Sequence, residues 1–194
     1  MLCDKCGAFF SPDAAPISVR CHQCDDHHYD KAAAIGIYEN ALAASVLELK
    51  TVPVLRKRLK THFPPAIERT ALASADIIIP IPLSRRRQLD RGFNQAEVIA
   101  DEIARLTRIP IDNSTLSRKL HTPIHRVAMD NKARELSVRN AFEVKRPKLI
   151  AGKNILLVDD VFTSGATASH CAKILKKNGA TGVFVFTLAR AVMD

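Results

Sequence analysis

The sequence predicts an α/β protein: an open, mostly parallel sheet flanked by helices, with a small four-cysteine module in front of it. Three observations carry this expectation. From residue 31 onward, short apolar runs alternate with segments of helical periodicity, the pattern of parallel strands joined by helices. The run Ile155-Leu-Leu-Val158 has no polar residue on either face, which suits a strand covered on both sides. Residues 1–30 are poor in aliphatic side chains but hold two Cys-x-x-Cys pairs, so that part needs something other than a core to hold it.

The elements follow in order. Ala32 to Tyr38 reads as a strand, and Asn40 to Leu49 as a helix with Leu42, Val46 and Leu49 on one face. Val54 to His62 reads as a second helix, which Pro64-Pro65 should interrupt before a short helix ending near Ala73. Asp76 to Pro82 is a buried strand closing in a proline-rich turn, and Ser84 to Gly92 a basic loop. Asn94 to Leu106 is helical through Ala96, Ile99, Ala100 and Ile103. Thr107 to Lys119 is a loop with a short strand. Leu120 to Asn140 is polar with weak periodicity, a loop with at most one short helix. Ala141 to Val144 is a short strand and Ile155 to Val158 a buried one. Thr167 to Lys177 is a helix closed by Asn178-Gly179, with two lysines in its last turn. Gly182 to Leu188 is the final strand.

Composition narrows the class of function. The 194 residues are 47% hydrophobic and 25% charged, enough for one good core plus a small appendage. No run approaches the ~20 apolar residues that span a bilayer, and no apolar run precedes the first charges as in a signal peptide. Cytoplasmic localisation without membrane insertion is the expectation. The formal net charge of +9 is unevenly spread. Residues 1–30 carry −3 and the remainder +12, so the main domain suits phosphorylated ligands or nucleic acid. Basic solubility alone is the plainer explanation of that charge.

The strongest motif is Ile155-Leu-Leu-Val-Asp-Asp-Val-Phe-Thr-Ser-Gly-Ala-Thr167. An apolar strand ends in two carboxylates, a turn of small and hydroxyl residues follows, and a helix begins. In open α/β sheets ligands sit beyond the carboxyl ends of strands. Thr163, Ser164, Gly165 and Thr167 place N–H groups and hydroxyls at a helix N-terminus, which is an anion site. Asp159 and Asp160 cannot bind a phosphate themselves. They can accept hydrogen bonds from a sugar diol or hold a hydrated cation. The combination describes a ribose-phosphate site. A dinucleotide fold would need G-x-G-x-x-G in this turn, and a P-loop would need G-x-x-x-x-G-K-[ST]; neither occurs.

These residues resemble the phosphoribosyl-pyrophosphate (PRPP) signature of type I phosphoribosyltransferases. Further stretches resemble one branch, the ComF/GntX family: Cys3-x-x-Cys6, Cys21-x-x-Cys24, Pro80-Ile-Pro82, Arg91-Gly-Phe-Asn-Gln95, Arg139-Asn-Ala-Phe142 and Leu188-Ala-Arg190. The resemblance spans nearly the whole chain in the family's order. It implies a type I phosphoribosyltransferase-like fold in which Asp159 and Asp160 engage the ribose hydroxyls, partly through Mg²⁺, and serve as the catalytic pair. It implies a cradle from Val161 and Thr163 through Ser164, Gly165 and Ala166 to Thr167 for the 5′-phosphate. The turn after Ile79 would face pyrophosphate, with charge from Arg85, Arg86, Arg87 or Arg91. Arg91 is preferred because it lies inside the matching motif, and the competing reading is a solvated basic loop. Two positions depart from the family: Ser164 stands where Thr is usual, and His125 where Gln is usual. His125 as a general base competes with an idle loop histidine.

The cysteines give C-x₂-C-x₁₄-C-x₂-C. Each pair can present two thiolates, and Cys3, Cys6, Cys21 and Cys24 together suit tetrahedral Zn²⁺ in a closed structural site. The intervening segment is slightly shorter than the ~15–20 residues of the usual pattern. A redox pair and unoccupied thiols are the alternatives, and His22, His27 and His28 are substitute ligands. Cys171 reads as a small buried apolar residue. The expected division is a zinc-ribbon-like module at 1–30 and a phosphoribosyltransferase-like domain at 31–194.

Two functions remain open. One is an enzyme that binds Mg²⁺–PRPP and transfers phosphoribosyl to an acceptor, releasing pyrophosphate. The other, which the ComF resemblance links to competence, is a non-catalytic single-stranded-DNA-binding or adaptor protein that works with DNA-uptake proteins. With no Trp and few Tyr and Phe, DNA contact would lean on phosphate charge. A glutamine-dependent amidophosphoribosyltransferase would need a separate glutaminase domain, for which this chain has no room.

Overall fold

A computed structural model describes residues 3–8, 21, 24–68, 74–119 and 141–191. Its elements are β1 (Lys31–Ile37), α1 (Asn40–Leu49), α2 (Lys57–Lys60), α3 (Phe63–Glu68), β2 (Ile77–Pro80), α4 (Arg85–Arg91), α5 (Gln95–Thr107), β3 (Leu116–Arg118), β4 (Phe142–Val144), β5 (Asn154–Phe162), α6 (Ala166–Lys177) and β6 (Gly182–Arg190). The main sheet has the order β1-β6-β5-β2 and is parallel throughout, while β3 and β4 form a separate antiparallel pair. The expected open parallel sheet is therefore the observed one.

Strand alternation divides the core between the two faces of the sheet. Ile77, Ile79, Ile155 and Leu157 face one side with Ala168, Cys171 and Leu175 of α6, Phe142 of β4 and the buried cysteines of the N-terminal module. Ile78, Leu156 and Val158 face the other, against Val46 and Leu49 of α1, Phe63 and Ile67 of α3, and Ile99 and Ile103 of α5. Ile155, Leu156, Leu157 and Val158 are wholly buried. Each contributes about 1.5–3 kcal/mol relative to exposure. A charge at Leu157 would break the layer it fills.

Four readings of local structure need correction. Ser84 to Gly92 is a helix, not a loop. Ser84 Oγ accepts from the Arg87 N–H at 3.4 Å, and Gly92 closes the other end at φ 76°. No residue of α4 is buried, so hydrophobic periodicity could not announce it, and the Ser84 and Gly92 caps were its only local signal. Pro64 and Pro65 lie within the first turn of α3, where the missing N–H has no partner to lose, so they open that helix. The segment expected to be helical from Val54 forms only the short α2. Finally, β5 runs on through Asp159 and Asp160 to Phe162, because β6 stays paired with it as far as Arg190. The loop expected at 120–140 lies outside the described residues.

The topology sets up a crevice. From β2 the chain passes through α5 on one face to an isolated parallel bridge, Ile111 with Ile78, on the outer side of β2. From β5 it passes through α6 on the opposite face to β6, on the inner side. Connections diverging in this way make the carboxyl ends of β2 and β5 a topological switch point, where open α/β sheets bind ligands.

Candidate functional site

The pairing of β2 with β5 stops at Pro80 and Val158. Asp159 and Asp160 therefore lie just past the end of β2, still held by β6 through the pairs Asp159–Thr187 and Val161–Ala189. With no strand on the β2 side, local carboxylates take the freed donors: the Asp160 N–H donates to Asp159 Oδ1 at 2.9 Å, and the Val161 N–H to Asp160 Oδ1 at 2.7 Å. Burial, and next the neighbouring charge of Asp160, push the Asp159 carboxyl up to about 7. A cation placed beside such a carboxyl would favour its ionised form.

The turn that follows is shaped by Gly165. Its φ is +75°, and a β-carbon there would lie 2.6 Å from Phe162 Cζ and 3.0 Å from His27 Cε1. Thr163 and Ser164 are exposed before it, Ala166 is exposed after it, and Thr167 is half-buried. Helix α6 has neither a side-chain cap nor an acid in its first turn. The Ser164 hydroxyl makes a long 3.4 Å contact with the Ala166 N–H. A hollow lies here between the turn and β6, lined by Asp159, Thr163, Gly165 and Thr167 with Val185 and Thr187. An uncapped helix N-terminus beside a hollow suits an anion. Val161, in the last part of β5, also lines this hollow and packs in part against the core on the α5 face.

The Arg91-Gly-Phe-Asn-Gln95 motif acts mainly as a brace. Asn94 caps α5, its Oδ1 accepting from the Ala96 N–H at 3.1 Å, while its Nδ2 donates to the Ile81 carbonyl at 3.0 Å. It thereby ties the turn after β2 to the helix. Arg91 Nη1 donates to Gln95 Oε1 at 2.8 Å. Arg85 and Arg86 are exposed, whereas Arg87 and Arg91, four residues apart, share the half-buried face of α4.

One cation had no signal in the sequence. Arg118 on β3 stands opposite Phe142 in the ladder, its guanidinium 5.2 Å from the ring centre. Its Nε is buried and has no hydrogen-bond partner among the described residues. Burial, and next the charge of Arg87, disfavour its protonated form, while Cys171 and Asp159 act the other way. Arg118 is thus within electrostatic reach of both Asp159 and Arg87, and it has no ion pair among the described residues. Only a pattern relating distant segments could have flagged it. His125 and Arg139 lie outside the described residues.

The N-terminal cysteines converge. The Sγ atoms of Cys3, Cys6, Cys21 and Cys24 all lie within 4.8 Å of one another, including Cys3–Cys24 at 3.8 Å and Cys6–Cys21 at 3.6 Å. Tetrahedral thiolates on Zn²⁺ would stand about 3.8 Å apart, given Zn–S near 2.3 Å. Burial raises the Cys3 thiol, but the N–H groups of Cys21, Cys6 and Lys5 outweigh it and hold the thiol at about 6. Burial and the neighbouring thiols push Cys24 strongly up. Four thiols packed this closely cannot ionise together without a cation among them, so the donor set fits a metal such as zinc. Lys5 Nζ ties the knuckles together, donating to the carbonyls of Cys24 and His27 at 3.0 and 2.6 Å. His27 and His28 take no part in the sulfur cluster. His27 Nδ1 meets the Tyr29 hydroxyl at 2.6 Å, and the His28 N–H donates to Ser169 Oγ on α6 at 3.0 Å. His22 lies outside the described residues. Cys171 is fully buried and its thiol is pushed up by burial, as expected of a packing residue.

Comparison with known proteins places this arrangement. Competence protein F of Haemophilus influenzae is 30% identical over 198 residues, covering 97% of this chain and 84% of that one. The chain belongs to the competence protein F (ComF) family. Another relative, the DNA utilization protein YhgH of Salmonella typhimurium, is 29% identical over 98% of this chain and 85% of its own length. Competence protein ComFC of Bacillus subtilis is 34% identical over 59% of this chain and 45% of its own. No family model matches the chain. Among solved structures, the allosteric regulatory enzyme of purine biosynthesis aligns with a TM-score of 0.42 at 23% identity, over 62% of this chain and 23% of that one. A purine phosphoribosyltransferase from Pyrococcus horikoshii aligns at 0.39 and 16%, over 69% and 70%. Likeness at this level carries no argument about function. In this ComF-family chain no helix among the described residues is long and apolar enough to cross a membrane.

Proposed function

We propose that this ComF-family protein binds Mg²⁺–PRPP at the switch point and transfers its phosphoribosyl group to an acceptor in the service of DNA uptake. One observation carries the reading: two carboxylates stand past the end of β2, directly before an uncapped helix N-terminus. Phosphate would sit on the Thr163–Thr167 turn, with backbone N–H groups and the hydroxyls of Thr163, Ser164 and Thr167 donating. Asp159 and Asp160 would accept from the ribose 2′- and 3′-hydroxyls. Mg²⁺, when bound with the ligand, supplies charge for the pyrophosphate oxygens. Arg118, within electrostatic reach of Asp159 and Arg87, would supply charge to that group, together with Arg91, which is hydrogen-bonded to Gln95 and shares a face of α4 with Arg87.

Transfer breaks the bond from the anomeric carbon to the pyrophosphate oxygen, and pyrophosphate leaves with the electron pair. The acceptor's lone pair forms the new bond to carbon and its proton passes to solvent. Positive charge develops at the anomeric carbon near the Asp pair, and the arginines stabilise the departing anion. The division at residue 30, zinc at the four cysteines and cytoplasmic residence belong to the same proposal. The test is calorimetry with Mg²⁺ and PRPP on wild type and on Asp159→Asn/Asp160→Asn. Binding that vanishes in the double variant is expected; equal affinity removes the assignment.

A second reading rests on the +12 charge of residues 31–194: single-stranded DNA held by phosphate contacts, with or without turnover. The relative's name, DNA utilization protein, agrees with it. Titration at two salt concentrations separates the readings, since charge-driven binding must weaken steeply with salt.

A further inference from the structure

Arg190, at the end of β6, is a buried cation that the function proposed above does not use. Only 8% of it is exposed, and no carboxylate among the described residues pairs with it. A buried charge needs compensation, and two groups surround this one. Its Nη1 donates to the carbonyl of Cys6, inside the first metal knuckle. Its guanidinium lies 4.7 Å from the centre of the Phe162 ring. Four thiolates around a divalent metal carry a net charge of −2, so the loaded centre is the anion that Arg190 lacks elsewhere.

Phe162 gives this placement its consequence. It is the last residue before the phosphate turn, it pairs with Arg190 across the ladder, and its carbonyl accepts the Ala191 N–H at 2.9 Å. Its ring closes on the Gly165 α-carbon, leaving no room for a β-carbon. Tyr29, five residues beyond Cys24, packs edge-on against the same ring at 5.8 Å. Arg190 therefore has the four-thiolate centre on one side and the wall of the phosphate turn on the other.

We propose that Arg190 is the counter-ion of the metal-loaded four-thiolate centre and, through Phe162, a positioning residue for the phosphate turn. Occupancy of the metal site then sets the shape of the ligand site. This rests on the metal reading of the four cysteines, and the experiment separates the two.

Wild type, Arg190→Met and Arg190→Lys are loaded with Zn²⁺, and release is timed with a chromogenic chelator. Amide exchange of residues 163–168 is followed in the loaded and stripped forms. Partners that tune a metal's ligands typically contribute 10–100-fold, so Arg190→Met should release Zn²⁺ about 10–100-fold faster. Arg190→Lys keeps the charge but not the flat face. It should hold metal nearly as wild type does while the turn exchanges faster, a split that a merely structural residue would not produce. Stripping wild type should also speed exchange in the turn. If wild type holds no Zn²⁺, the metal reading fails. If it holds Zn²⁺ and Arg190→Met releases it at the wild-type rate, the counter-ion role is overturned. Exchange in the turn that ignores both stripping and Arg190→Lys overturns the positioning role. Should the Met variant not fold, Arg190→Gln, which also removes the charge, carries the release comparison.

Discussion

Replacing Gly165 with alanine tests the geometry on which the ligand site depends. The backbone at Gly165 sits at φ +75°, and an L-residue held there costs roughly 1–2 kcal/mol. The new β-carbon would meet Phe162 Cζ at 2.6 Å and His27 Cε1 at 3.0 Å. Both rings are pinned, Phe162 by Arg190 and Tyr29, and His27 by the Tyr29 hydroxyl, so they cannot yield cheaply. Overpacking of this kind costs about 1–3 kcal/mol more. The expected total is about 2–5 kcal/mol, seen either as lost stability or as a turn displaced from its binding shape. If it falls on the turn alone, 2 kcal/mol weakens an anionic ligand about 30-fold. Gly92 provides the control: its φ is +76°, but nothing lies within 4 Å of an added β-carbon, so Gly92→Ala should cost only the roughly 1–2 kcal/mol of backbone strain. Urea unfolding of the two variants beside wild type, with PRPP titrations of each, makes the comparison. If Gly165→Ala proves no less stable than Gly92→Ala and binds PRPP with wild-type affinity, the two rings do not close over this turn.

The raised Asp159 carboxyl makes stability depend on pH in a definite sense. The folded protein keeps a proton that the unfolded chain loses near 3.8, so stability contributed by Asp159 falls as pH rises from 3.8 to about 7 and is then constant. Asp159→Asn should flatten that slope and raise the Tm at pH 8, as thermal scans across the range will show. Arg118→Met removes a half-buried cation whose buried Nε has no hydrogen-bond partner among the described residues. Charged hydrogen bonds contribute about 1.5–3 kcal/mol, so PRPP affinity should drop by about 10-fold or more while ribose 5-phosphate binds as before; equal losses for both ligands would reduce Arg118 to a partner of Asp159. Chelation should remove about one ion per chain and lower the Tm, because Cys3, Cys6 and Cys24 belong to the same core as Phe162 and Ala168. Metal analysis and thermal scans before and after dialysis will check it.

Local sequence was enough wherever chemistry and structure share one short segment. Ile155 to Val158 has the apolar run of a doubly covered strand, Asp159 to Thr167 places acids, hydroxyls and a glycine in consecutive positions, and the Cys-x-x-Cys spacing defines each knuckle. These depend on neighbours a few residues away, and periodicity and turn chemistry report such neighbours directly. Helix α4 was missed, since a helix that buries no residue leaves no apolar stripe to read and only its Ser84 and Gly92 caps marked it. Tertiary structure decided the rest. Residue 118 packs on Phe142, residue 190 joins Cys6 to Phe162, and residue 27 closes on residue 165 only because strand order and the two faces of the sheet bring them together. Those contacts join positions up to 184 residues apart. Sequence spacing carries no trace of them, because packing across the sheet, not the local chain, sets the distance.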